Sequence, residues 1–164
     1  MEPIPIPPKP GQESVWDYPR PARWENSNKQ IKIICNGIIL ASSNQAKRVI
    51  ETSHPPTYYI PSQDIQMQYL VATSKKSWCE WKGKSSYYDI SIGEKYIPSA
   101  AWSYCEPTLE FSHLKDHYSF YAGLMDHCYI DGELVIPQPG NFYGGWITSD
   151  IVGPFKGESG TFGW

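Results

Sequence analysis

The stretch "SWCEWKGKSSYYD", Ser77 to Asp89, gathers two tryptophans, two tyrosines, two lysines and two carboxylates around one glycine. If Lys82-Gly83 forms the turn of a hairpin, Trp78, Glu80, Ser85, Tyr87 and Asp89 share one face, and Cys79, Trp81, Lys84, Ser86 and Tyr88 share the other. The first face then holds a carboxylate pair among aromatic rings. Burial and a like charge both raise a carboxyl pKa, which is how a general acid is made. The same residues also fit a plainer hairpin, with Glu80 paired to a surface lysine and the rings in the core. A register slip of one residue would exchange the two faces.

His54 is the second candidate for proton handling. It lies in "ETSHPPTYYIP", where Pro55 and Pro56 stiffen the backbone beside Thr57, Tyr58 and Tyr59. Imidazole is the usual proton carrier near neutral pH, so His54 and Glu80 are the expected acid/base residues. His113 and His117 are spaced like metal ligands on one helix face, but Leu114 stands where a zinc protease would carry its glutamate. The four cysteines, Cys35, Cys79, Cys105 and Cys128, stand singly without a C-x-x-C pair, the arrangement of buried thiols rather than a zinc knuckle. No metal and no cofactor are expected.

Lys75, Lys76, Lys82 and Lys84 interleave with Trp78 and Trp81, a pattern able to stack a base and neutralise a phosphate. The formal net charge of -3 argues against a nucleic-acid polymer, which needs a broad basic surface, and leaves a mononucleotide open. "GPFKGESG", Gly153 to Gly160, lacks the order of a phosphate loop and offers only Lys156 as an anion contact.

The elements that must position these residues read as mainly β. Seven of the fifteen prolines fall within Pro3 to Pro21, so residues 1–18 read as an extended strap lying on the domain. "QIKIICNGIILAS" places Asn36-Gly37 between two apolar runs and predicts a type I′ hairpin. Ser42 and Gln45 fit a capping box, which predicts a short helix over "NQAKRVIET". From Tyr58 short apolar and aromatic segments alternate with turn residues at Gly83, Gly93 and Asp131-Gly132, as in antiparallel sheets of a sandwich or open barrel. A second short helix is expected around "EFSHLKDH". The domain proper spans 19–136. Residues 137–164 hold seven of the thirteen glycines together with Trp146, Phe155 and Trp164, and should wrap back over the sheets. With no apolar run of spanning length and no signal-like leader, the chain reads as soluble and cytoplasmic, with no membrane partner.

"PRPARWE", "ETSHPPTYYIP", "CEWKGKSSYYD", "AAWSY", "MDHCYIDGE" and "PQPGNFYGGWITSDIVGPFKG" together resemble the bacterial and plant domain-of-unknown-function family numbered 427, from about Pro19 to Trp164. The resemblance implies a β-tent fold of the Mss4-like kind. Relatives within that fold carry structural zinc on C-x-x-C knuckles; lacking these, the chain should be zinc-free. The family is also labelled nucleotidyltransferase-like, which hints at nucleotide ligands, although the paired carboxylates and Gly-Ser turn of that chemistry are missing. His54, Tyr58, Glu80, Trp81, Lys82, Tyr88, Trp102, Tyr104 and Asp126 stand inside the motifs.

These residues are expected to meet on the concave side of bent sheets, in an aromatic, polar-tipped pocket for a small organic molecule, planar or phosphorylated. His54 and Glu80 would handle protons, Lys82 would face an anion, Trp81, Trp102 and Tyr104 would form walls, and Tyr58, Tyr88 and Asp126 would add ligand contacts. The alternative is a non-catalytic interaction module. Its strap and tail would supply a docking surface or a homodimer contact through an exposed patch of Trp146, Phe155 and Trp164.

Overall fold

The computed structural model of the protein describes residues 2–140 and 142–164. Its strands in chain order are β1 (Glu13–Ser14), β2 (Arg23–Asn26), β3 (Ile31–Cys35), β4 (Ile38–Ser43), β5 (Lys47–Glu51), β6 (His54–Pro61), β7 (Leu70–Cys79) and β8 (Gly83–Ile92). There follow β9 (Lys95–Pro107), β10 (His117–Phe120), β11 (His127–Ile130), β12 (Glu133–Leu134), β13 (Ile136–Pro137), β14 (Trp146–Ile147) and β15 (Ile151–Val152). The described helices are short 3-10 turns, the longest being Leu109–Leu114.

A seven-stranded sheet in the order β2-β5-β6-β10-β9-β8-β7 faces a four-stranded sheet in the order β12-β11-β3-β4, and every pairing within both is antiparallel. The expectation of a mainly β, antiparallel protein holds. Alternate residues of β3, Ile31, Ile33 and Cys35, are fully buried against Tyr58, Ile60, Ile90 and Phe120 of the larger sheet. The hairpin turns follow from residue type. Asn36 and Gly37 take φ of 48° and 76°, and Asp131 and Gly132 take 49° and 81°, values that asparagine, aspartate and glycine adopt at least cost.

The helix expected over "NQAKRVIET" is not formed; Lys47–Glu51 is β5, held between β2 and β6. Ser42, the expected cap, lies in β4, and it is the neighbouring Ser43 that closes a turn here. The Ser43 Oγ accepts from the Gln45 amide and donates to Asp64. Val49 and Ile50 point to opposite faces and both are buried, the pattern of a strand covered on both sides. The prolines of "SHPPT" also lie in a strand. Pro55 and Pro56 oppose the single residue Ile50 where the β5–β6 register shifts, so their missing N–H groups interrupt no ladder.

The Pro-rich strap docks onto the C-terminal segment. β1 pairs in parallel with β15, the Ile6 amide donates to Gly153 O (2.9 Å), and Trp16 Nε1 donates to Pro154 O (2.9 Å). Trp146 is 1 % exposed inside the sandwich, while Phe155 and Trp164 pack against the strap, so the apolar patch expected of an interaction module is not formed. Among the described residues no helix is long and apolar enough to cross a membrane.

Candidate functional site

The outer face of the seven-stranded sheet, turned away from the four-stranded one, carries a second cluster of Val49, Tyr59, Trp102, Tyr104 and Phe111. Above it opens a cavity of about 550 Å³, a size usual for small organic ligands. Strands β5, β6, β8 and β9 supply the floor through Val49, Tyr59, Tyr87, Trp102 and Tyr104. The β7–β8 hairpin supplies one wall through Cys79, Trp81 and Lys82, and the C-terminal segment supplies another through Gln138, Tyr143 and Lys156.

The hairpin register differs by three residues from the expected one, in which Cys79 would oppose Ser86. Cys79 pairs with Gly83, Trp78 with Lys84 and Ser77 with Ser85, which leaves Glu80, Trp81 and Lys82 as a three-residue tip. Gly83 is therefore a strand residue, and at φ of 108° a Cβ there would stand 2.3 Å from Glu106 O. Thr108 anchors the tip: its hydroxyl donates to Trp81 O (2.6 Å) and its amide to Lys82 O (3.0 Å). The faces exchange accordingly. Ser77, Cys79 and Tyr87 line the cavity, while Glu80 is exposed at the tip and lies outside the lining.

At the far end His54 opens β6, and its tautomer follows from its neighbours. Gln138 Oε1 accepts from the Gly145 amide (3.0 Å), so the amide nitrogen Nε2 must donate; it does so to Lys156 O (2.8 Å) and to His54 Nδ1 (3.1 Å). An imidazole that accepts at Nδ1 carries its proton at Nε2, which faces Glu51 Oε2 at 3.9 Å. Burial, reinforced by the charges of Lys156, Lys82 and Arg20, moves the His54 pKa down to about 4. The ring is thus neutral at neutral pH, and the contact with Glu51 is no ion pair.

Lys75, Lys82 and Lys156 line the cavity against the single carboxylate of Glu51. Each ammonium rests near a ring: Lys75 Nζ is 4.5 Å from the Tyr87 centroid, Lys82 Nζ 5.9 Å from Tyr104, and Lys156 Nζ 5.6 Å from Tyr143. Trp102 Nε1 donates to Tyr59 Oη (3.2 Å), which fixes both rings edge to face. Burial raises the pKa of Tyr59 and Tyr104, keeping their hydroxyls protonated, and pushes Tyr121 up to about 12. The outcome is a positive, aromatic cavity with fixed hydrogen-bond donors.

Of the residues singled out in the sequence, His54, Trp81, Lys82, Trp102 and Tyr104 come together here. The structure places the others elsewhere. Tyr58 and Tyr88 turn towards the inter-sheet core, Tyr58 against Trp146 at 5.5 Å and Tyr88 against Tyr118 at 5.2 Å. Asp126 accepts from the Gly37 amide and pairs with Lys95 at the Asn36-Gly37 turn. His113 and His117 share no helix face, since the 3-10 turn ends at Leu114 and His117 begins β10. Among the described residues no group of three His, Cys, Asp or Glu side chains could hold a metal ion. Tyr59 and Tyr87 were adjacent to the chosen tyrosines, and strand alternation with the right register would have selected them. Gln138 and Tyr143 carried no local signal.

A family model described as a domain of unknown function, DUF427, matches residues 23–131. None of the curated proteins compared with the chain matches it. The matched region contains the cavity floor, His54 and the hairpin tip, whereas Gln138, Tyr143 and Lys156 come from beyond it.

Proposed function

The chain belongs to the DUF427 family of domains of unknown function, and on that premise we propose that its aromatic cavity binds a small planar organic anion. The observation that carries this reading is the set of three lysine ammoniums ranged over aromatic walls around the fixed Nε2–H of His54. The rings supply flat apolar surface for a planar group. The lysines supply positive potential inside low-dielectric walls, where it acts more strongly on an anion than it would in water. A cationic ligand of the same shape would meet three like charges and is disfavoured.

His54 is assigned to binding rather than to proton transfer. A base needs a free nitrogen, yet Nδ1 is occupied by Gln138 and Nε2 carries the proton. Its part is that of a neutral donor held at one angle. A mononucleotide, with a planar base and a phosphate, falls within the ligand class, as do aromatic carboxylates.

Native mass spectrometry of gently purified protein, followed by thermal-shift measurements with mononucleotides, aromatic carboxylates and aromatic amines of matched size, tests the reading. Anions should raise the melting temperature and amines should not, and the double variant Lys82→Gln, Lys156→Gln should lose the response. Equal stabilisation by amines, or an undiminished response in the double variant, would falsify it.

A further inference from the structure

A second cavity of about 500 Å³ adjoins the first. Lys75, Tyr121, Gln138, Tyr143 and Gly144 face both. The boundary is therefore made largely of side chains. Lys75 is exposed, and Tyr121 leans on Trp102 with ring centroids 4.7 Å apart and donates its hydroxyl to Phe142 O at 3.3 Å.

The two cavities differ in chemistry. The first is lined by three lysines, a carboxylate and an imidazole. The second is lined by Pro98, Ala122, Gly123, Leu124 and Pro137, and among its described residues Lys75, on the shared boundary, is the only charged one. Away from that boundary, with its Lys75, Tyr121 and Gln138, small side chains and prolines leave room and Ser99 offers only a hydroxyl, so an ion placed there would lose solvation with little compensation. An apolar group would gain by leaving water.

Resting on the planar-anion reading of the first cavity, we propose that the two cavities form one bipartite site for an amphipathic ligand. Its planar anionic head lies among the lysines and aromatic rings, and its uncharged apolar tail passes the Tyr121–Tyr143 boundary into the second cavity.

The test is calorimetric titration of the full chain with a series of 4-alkoxybenzoates, methoxy to hexyloxy, which hold the head constant while the tail lengthens. Affinity should rise about threefold to fourfold for each methylene that enters the second cavity. Gly123→Leu should abolish this increment while methoxybenzoate binding stays unchanged. Gly123 has an ordinary backbone φ, and a Cβ there meets nothing closer than Pro137 at 3.7 Å, so the substitution enters the cavity without strain. Leu124→Trp narrows the same cavity from a part-exposed position and serves if Gly123→Leu folds poorly. A flat series in which methoxybenzoate still binds overturns the bipartite site and leaves the planar-anion reading standing. A rising series indifferent to both variants puts the tail elsewhere and also overturns it. Failure of every member to bind removes the planar-anion reading, and this inference with it.

Discussion

Burial and the charges of Lys156, Lys82 and Arg20 hold the folded-state pKa of His54 near 4, against 6.5 for a free imidazole, so the unfolded chain binds a proton that the folded protein refuses. Between those two values stability therefore falls as pH falls, while above 6.5 the contribution is fully present. The loss approaches about 3 kcal/mol once pH has dropped below the lower value. Chemical denaturation at steps from pH 7 to pH 4 should show this slope, and His54→Gln should flatten it. The tautomer is separately accessible. Gln138→Glu replaces the donor facing Nδ1 with an acceptor, so the ring should move its proton to Nδ1 and titrate at higher pH. Nitrogen-15 spectra of the imidazole would show an unprotonated Nδ1 in the parent and a protonated one in the variant; identical spectra would refute the hydrogen-bond assignment.

At the level of elements, the site depends on which face of a strand each residue takes. The Tyr58-Tyr59 and Tyr87-Tyr88 pairs each send one ring to the sandwich core and one to the cavity cluster. Composition announces the aromatics but not their side, because a shift of one residue exchanges every assignment. The turns at Asn36-Gly37 and Asp131-Gly132 were legible because positive φ selects residue type locally. The three-residue tip of the β7–β8 hairpin was not, since it depends on Thr108, distant in sequence, gripping the carbonyls of Trp81 and Lys82. "KRVIE" was misread for a related reason: strands β2 and β6 on either side decide its conformation, and no short window contains them. A Cβ on Gly144 would stand 2.2 Å from the Trp102 ring, so Gly144→Ala should cost about 1–3 kcal/mol and loosen the cavity wall. Gly83→Ala meets backbone atoms and a positive φ together and should cost at least about 2 kcal/mol. Melting curves that ranked Gly83→Ala as the milder change would contradict the packing described for the hairpin.

Across the whole molecule, the two chain ends cooperate to build one wall of the site. Gln138, Tyr143 and Lys156 reach the cavity because the C-terminal segment is held in place by the strap, and the strap in turn is tied to β5 through Arg48. The Arg48 guanidinium, 12 % exposed, binds Glu13 of the strap and Glu25 of β2; against the opposing effect of burial these hydrogen bonds raise its pKa, and its hydrogen bond to Glu13 lowers that of the carboxylate. Arg48→Met should destabilise the protein by about 1–3 kcal/mol, the carboxylates being partly solvated, and should speed proteolysis within residues 2–14. A strap as resistant to protease as before would show that Val15, Tyr18 and Ile151 hold it without the ion pairs.

The distribution of indoles has an optical consequence. Trp146 is sealed in the sandwich and should respond little to what enters the cavity, and Trp78, which also borders the cavity, is 71 % exposed and stays largely in water, whereas Trp81 and Trp102 form its more buried walls. Any occupant that displaces water from those two rings should leave its mark on the emission spectrum, so the protein carries a built-in reporter of its own occupancy.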